Sequence, residues 1–169
     1  MTVPTGASPS VADLHRAALR ARLGYLGVSI VGLLVAEFLL GMALNLFVTL
    51  PTGSALHVLE SSPVLGGHLL VAALLLGITA NATRLALGLR ERRAVGGAAL
   101  ALVSAIGATL AGLSFTFGPG GDAASYAMSI GFAGVLIGAG LLLSLGRVPA
   151  DQGMPRPSTT AGTPGGGGP

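Results

Sequence analysis

Four residues in this chain have side chains that could do chemistry inside an otherwise apolar setting: Glu37, Asn45, Thr49 and His68. Glu37 interrupts the run "GLLVAEFLLGMALN" (Gly32–Asn45), although the chain has only six acidic residues. An ionised carboxylate at mid-bilayer costs about 2.5–3.5 kcal/mol on insertion scales, so intramembrane ionisable groups are by default functional. Gly41, Asn45 and Thr49 follow Glu37 at four-residue steps, which lay a polar stripe along one helical face. Two readings stay open. The stripe is a proton or cation site, or a protonated Glu37 ties two helices together through a hydroxyl such as Thr79, Ser104 or Thr109. A pair with Arg84 is a third arrangement, although a long cationic side chain near a helix end more simply snorkels to the interface.

His68 is the one histidine inside an apolar segment. An imidazole there suggests a proton relay or a haem ligand. A bis-histidine haem needs a second spanning histidine, and His15 and His57 lie outside the spans. Counting residues at about 1.5 Å each puts His68 on the order of 15 Å from the level of Glu37, too far for direct contact. The expected partners of His68 are Asn45 and Thr49. No phosphate-cradling loop, metal-ligand cluster or nucleophile–base arrangement is present, so the chain reads as no enzyme, with no metal and no cofactor.

The elements that must carry these groups are membrane helices. Of 169 residues, 51% are hydrophobic and 9% charged, with a mean hydropathy of +0.81. Soluble domains carry about 25% charge, and about 20 apolar residues cross a bilayer. Four apolar segments of that length are expected at 24–50, 65–87, 95–117 and 124–145. The net charge of +3 comes from arginine alone, placed at segment ends and not gathered as a nucleic-acid reader requires. With no cysteine, disulfides, iron–sulfur clusters and thiolate metal sites are excluded.

Arg16, Arg20 and Arg22 precede the first span, Arg90, Arg92 and Arg93 separate the second from the third, and Arg147 follows the fourth. The loops 51–64 and 118–123 carry no Lys or Arg. The positive-inside rule therefore puts both termini in the cytoplasm of a multi-pass plasma-membrane protein. The first span is too long, and begins too late, for a cleaved signal peptide.

Residues 1–23 form a cytoplasmic segment with a short helix over 10–22, either lying on anionic headgroups through Arg16 and Arg20 or extending span one. Ser10 and Asp13 there have capping-box spacing. Residues 24–147 form the transmembrane domain, an all-α antiparallel four-helix bundle. Residues 148–169, rich in Gly and Pro, cannot bury a core and are expected to be disordered.

Helices in lipid pack where small residues let backbones approach. Span three offers Gly97, Ala101, Ala105, Ala108 and Gly112, and span four Ala127, Gly131, Gly134 and Gly138. The short connection "GPGGDA" makes these two antiparallel neighbours, packed along those stripes.

"EFLLGMALNLFVTLP" (Glu37–Pro51), "GGHLLVAALLLG" (Gly66–Gly77), "GATLAGLSF" (Gly107–Phe115) and "SYAMSIGFAGVL" (Ser125–Leu136) together resemble an uncharacterised family of small four-span integral membrane proteins from actinobacteria. The resemblance covers about residues 24–146 and implies four helices but no activity. The lysine-free, Ala/Gly/Arg-rich composition suits such a source. The outer loop "TGSALHVLESS" is shorter and less histidine-rich than the family pattern, which counts against a metal there. Small multidrug transporters also place a glutamate in the first of four spans, but they are shorter and lack this charge bias. The leading expectation is an accessory or structural protein, embedded in the lipid bilayer, that binds other membrane proteins or itself through its small-residue faces. A proton-coupled transporter or channel component using Glu37 is the alternative, and a b-type haem-binding electron carrier using His68 the second.

Overall fold

The computed structural model describes residues 10–48, 60, 62–118 and 121–146, and among them the regular structure is entirely helical. Four helices form: α1 (Val11–Phe47), α2 (Pro63–Leu89), α3 (Arg92–Phe117) and α4 (Gly121–Gly146). Each is long and apolar enough to cross a membrane. α1 packs on α2 and α4, α2 on α3, and α3 on α4, which closes a ring. The molecule is an all-α, antiparallel four-helix bundle. Thr49, His57, Arg147 and the tail 148–169 lie outside the described residues.

Local sequence sets the helix ends. Ser10 caps α1, its hydroxyl oxygen accepting from the Asp13 N–H at 3.2 Å and its O–H donating to Asp13 Oδ2 at 2.6 Å. α1 then runs unbroken for 37 residues, about 55 Å at 1.5 Å per residue. The segment over 10–22 is thus a helical extension of span one and not a separate surface helix. Its residues are almost all exposed as far as Arg22, and burial begins at Leu23. Hydrogen bonds to its carboxyl from the Ser10 hydroxyl and the Ser10 backbone hold Asp13 below the usual carboxylate range, with a smaller contribution from Arg16. A depressed folded value means that this capping contribution is present above the unfolded carboxylate value and disappears as pH falls through the folded one. The protection of amides 11–16 from hydrogen exchange, relative to the intrinsic rate at each pH, should therefore fall on acidification, and Ser10→Ala should lower it at neutral pH. Protection independent of both would show that the cap does not hold this end.

α2 begins with Pro63 in its first turn behind Ser62, whose side chain accepts from the Leu65 N–H at 3.3 Å. Proline suits that position because its missing N–H has no partner in a first turn. α2 ends at Arg90, which adopts the left-handed conformation with φ 56°. A non-glycine residue there costs about 1–2 kcal/mol. Arg90→Gly should therefore raise the melting temperature in detergent by a few degrees, since glycine is the favoured residue past a helix end. A fall would show that the side chain stabilises more than the backbone loses. Glu91, at the head of α3, does not cap it with its side chain. Its carboxylate instead accepts from Arg20 Nε at 3.1 Å, tying the extension of α1 to the α2–α3 turn. The two side chains are 50% and 30% exposed, so the pair stabilises little, on the order of 0–1 kcal/mol.

The α3–α4 seam is the tightest. A methyl group built on Gly138 would lie 2.6 Å from the Gly97 carbonyl oxygen and 2.7 Å from Ala101 N. One at Gly131 would lie 2.7 Å from Ala108 Cβ, and one at Gly134 would overlap the Ser104 side chain. Gly97 and Gly112 face Leu141 and Met128 across the same seam, and Ala105 is buried there. Steps of three or four residues along α3 are matched by equal steps back along α4, the regular antiparallel register that small residues permit. Ala127 departs from the expected stripe. It is exposed, whereas Ala124 is buried and Met128 reaches Gly112. The buried residues of α4 are Ala124, Gly131, Val135, Gly138, Ala139 and Leu142, and at about 100° per residue their centre lies about 60° round the helix from Ala127.

α1 also approaches α4 closely, though less so, at the arginine-bearing end. A methyl at Gly24 would lie 3.0 Å from Gly146 Cα, and one at Gly27 3.1 Å from Leu143 Cγ. The core follows from these approaches. Leu23, Ile30, Ala82, Ala86, Ala94, Ala98, Ala101, Ala139 and Leu142 are all 0% exposed, and all lie toward the arginine-bearing end of the bundle.

Candidate intramembrane polar site

Glu37 and His68 meet. The His68 Nδ1 atom lies 3.3 Å from Glu37 Oε1, with side chains 24% and 17% exposed respectively. This overturns the expectation that axial distance keeps them apart. Three features close the gap. α1 ends at Phe47, three residues before the expected bound, and α2 starts at Pro63, two before its own, so Glu37 and His68 draw about 7.5 Å closer along the axis. His68 therefore sits level with Gly41, one turn from Glu37, and not two or three turns away. Gly41 has no side chain, and the imidazole fills that space, with a methyl at Gly41 meeting His68 Cε1 at 3.4 Å. The remaining offset, about 6 Å for one turn, is within reach of an extended glutamate.

The contact is close without being aligned as a hydrogen bond. Glu37 Oε2 and His68 Nδ1 are both buried and make no hydrogen bond among the described residues. Buried polar atoms in that condition are rare and costly, and a small rotation that turns Nδ1–H onto the carboxylate relieves both. On the far side of α1, Phe38 packs against Phe132 of α4 with ring centroids 5.7 Å apart. That tilted aromatic contact holds α1 and so fixes the carboxyl beside α2.

The hydroxyls named as partners for Glu37 are occupied elsewhere. Thr79 Oγ1 donates to the Leu75 and Leu76 carbonyls at 2.9 and 3.0 Å, and Thr109 Oγ1 donates to Ala105 O at 2.8 Å. Ser104 lies against Gly134 in the α3–α4 seam. Arg84 is exposed and pairs with no carboxylate among the described residues. Asn45 is exposed and hydrogen-bonds to no described side chain, so it does not join Glu37 and His68. Eight residues turn a helix by about 80° beyond two full circles, which carries Asn45 off the face of Glu37. Of the expected stripe, then, Glu37 and Gly41 meet His68, Asn45 does not, and Thr49 lies outside the described residues.

No protein-family model, curated protein or solved structure matches the chain. Function has to be read from the site itself. Among the described residues no three His, Asp or Glu side chains gather as metal ligands. What remains is a carboxyl–imidazole pair bridging α1 and α2, just outward of the sealed core that Leu34 and Leu75 close. Such a pair can hold a proton between its two groups, and it can fasten one helix to the next.

Proposed function

We propose that this is a small multi-pass plasma-membrane protein with both termini and the α2–α3 turn in the cytoplasm, acting as an accessory subunit and not as an enzyme or a conduit. Its partners are the lipid bilayer and other membrane proteins, or a second copy of itself. It belongs, on this reading, with the small four-span actinobacterial proteins that its first and second spans resemble.

The observation that carries the proposal is the solid inner half of the bundle. Between the Glu37–His68 pair and the arginine-bearing end, the centre of the bundle is filled by side chains with little or no exposed surface. The polar side chain buried there, Thr79, is bonded to its own helix. Polar groups inside a membrane mark a pathway when they line a cavity or a relay, and here they stop at an apolar plug. The Glu37–His68 contact then serves as an interhelix clasp. The orientation is supported by Arg20, Arg22, Arg90, Arg92 and Arg93, which cluster at one end of the folded bundle.

Purification in mild detergent, read by mass and by absorption, tests this directly. A stoichiometric partner or a defined homo-oligomer is the expected result, and a lone stable monomer overturns the accessory reading. A Soret band would establish haem and replace the clasp with a ligand role for His68. The second reading, a proton-coupled transporter or channel component, is favoured by the pairing of two titratable groups across helices. It requires proton-linked flux in proteoliposomes that Glu37→Gln abolishes; flux that survives the substitution disposes of it.

A further inference from the structure

A second polar feature lies far from Glu37, at the arginine-bearing end. A groove of about 310 Å³ between α1 and α2 is lined by Arg22, Tyr25, Leu26, Ser29, Asn81 and Leu85. Its polar members fall in a definite order. Arg22 stands at the rim and Tyr25 one turn inward, while Ser29 and Asn81 lie about two turns deeper, across from each other. The matching groove on the other side of Tyr25, of about 340 Å³, is lined by Ala21, Gly24, Val28, Leu143 and Gly146 and offers no polar side chain besides Tyr25. The polarity is therefore particular to the α1–α2 groove.

Asn81 is the anomalous member. It is exposed on a membrane helix and hydrogen-bonds to no described side chain. An amide facing plain hydrocarbon is costly, so a partner that brings acceptors into the groove gains from it. Ser29 donates back to the Tyr25 carbonyl at 3.2 Å, which leaves its oxygen lone pairs facing outward. Arg22 is exposed and pairs with no carboxylate among the described residues, whereas Arg20, two residues before it, is held by Glu91.

We propose that this groove binds the head of an anionic phospholipid, with the phosphate on Arg22 and the Tyr25 hydroxyl and the acyl-ester carbonyls directed toward Asn81. A phospholipid presents its acceptors in that sequence, anionic phosphate at the surface and neutral carbonyls beneath. The groove presents its donors in the same sequence, cation at the rim and amide within. Basic pockets between helices at a membrane face are known to take lipid headgroups by this logic, and tyrosine is at home at that depth. Leu26 and Leu85 supply the apolar walls for the start of the acyl chains. The site stands at the arginine-bearing end whichever compartment that end faces, so it does not depend on the accessory reading.

The test uses the full chain, delipidated in detergent and titrated with phosphatidylglycerol, phosphatidylcholine or inorganic phosphate, with bound lipid counted by native mass spectrometry. Phosphatidylglycerol should bind about fivefold more tightly than phosphatidylcholine, whose choline cation offsets its phosphate and so removes about the attraction of one arginine for a net anionic lipid. Arg22→Gln should erase that preference, while Arg16→Gln, on the free extension of α1, should leave it intact. Asn81→Leu should weaken both lipids alike, since both carry ester carbonyls. Equal loss from Arg16→Gln and Arg22→Gln would mean diffuse charge attraction and overturn the site. Displacement of the lipid by inorganic phosphate would mean a free-anion site and overturn the lipid assignment. Should a variant fail to fold, the wild-type preference decides alone: no difference between the two lipids in binding or in thermal stabilisation refutes the proposal.

Discussion

Gly138→Leu is expected to be the most damaging single substitution in the described bundle. A bare methyl at that position would already lie 2.6 Å from the Gly97 carbonyl oxygen and 2.7 Å from Ala101 N. Both obstacles are backbone, which cannot rotate aside, so α3 and α4 must separate. Overpacking of this kind typically costs about 1–3 kcal/mol, and more when backbone must move. For a chain of this size that corresponds to a fall in melting temperature of about 5–10 °C. Gly131→Leu should follow closely, since its neighbours are Ala108 and the Ser104 carbonyl. Gly134→Leu should cost less, because the atoms it meets belong to the Ser104 side chain, which can turn away. Gly140→Leu is the control, with no neighbouring atom within 4 Å of a built methyl. Melting in detergent should rank them in that order. A Gly138 variant as stable as the Gly140 variant would show that the α3–α4 seam is not what holds the bundle.

His68→Leu should produce the second large effect, through the group it leaves behind. Glu37 would keep its burial and lose its neighbour, and an abandoned buried polar group costs about 1–3 kcal/mol. Replacing both residues, as Glu37→Leu with His68→Leu, should restore most of the lost stability, because no polar atom is then stranded. The interaction energy from the full cycle is expected to be about 0.6 kcal/mol, the average for interhelical polar contacts in membranes, and no more than about 1.7 kcal/mol. Unfolding midpoints of the wild type, both single variants and the double variant give that number. Strict additivity would mean that the two side chains are neighbours without being partners.

How much of this was readable beforehand divides along a physical line. Hydropathy and the spacing of Gly and Ala depend on one helix at a time, so four helices and the α3–α4 stripes follow from residue order. The Glu37–His68 contact depends on how far one helix slides along another. That register is set where α1 ends, where α2 begins and by the space above Gly41, none of which hydropathy encodes. A glycine one turn from a buried carboxyl was the available signal, because it marks where a bulky group from a neighbouring helix can lie flat. Asn45 falls off the expected face because a face counted in steps of four drifts round the helix, and Ala127 because it lies at the edge of the buried face of α4. The polar groove was missed because Arg22, Ser29 and Asn81 belong to two helices and look unrelated until the helices pack.

The pairing of Glu37 with His68 also bears on how the protein is made. Glu37 reaches the membrane before its partner does, because His68 follows 31 residues further along the chain. At about 5–20 residues per second of synthesis, the carboxyl waits roughly 2–6 s alone. Its partner sits on the very next helix, so the wait is as short as this topology permits. The Gly131–Gly138 seam can form only once α4, the last of the four helices to be made, closes the ring against α3 and α1. The costly polar group is thus settled early by a neighbour in sequence, and the close-packed apolar seam, which tolerates delay in lipid, is left for the end.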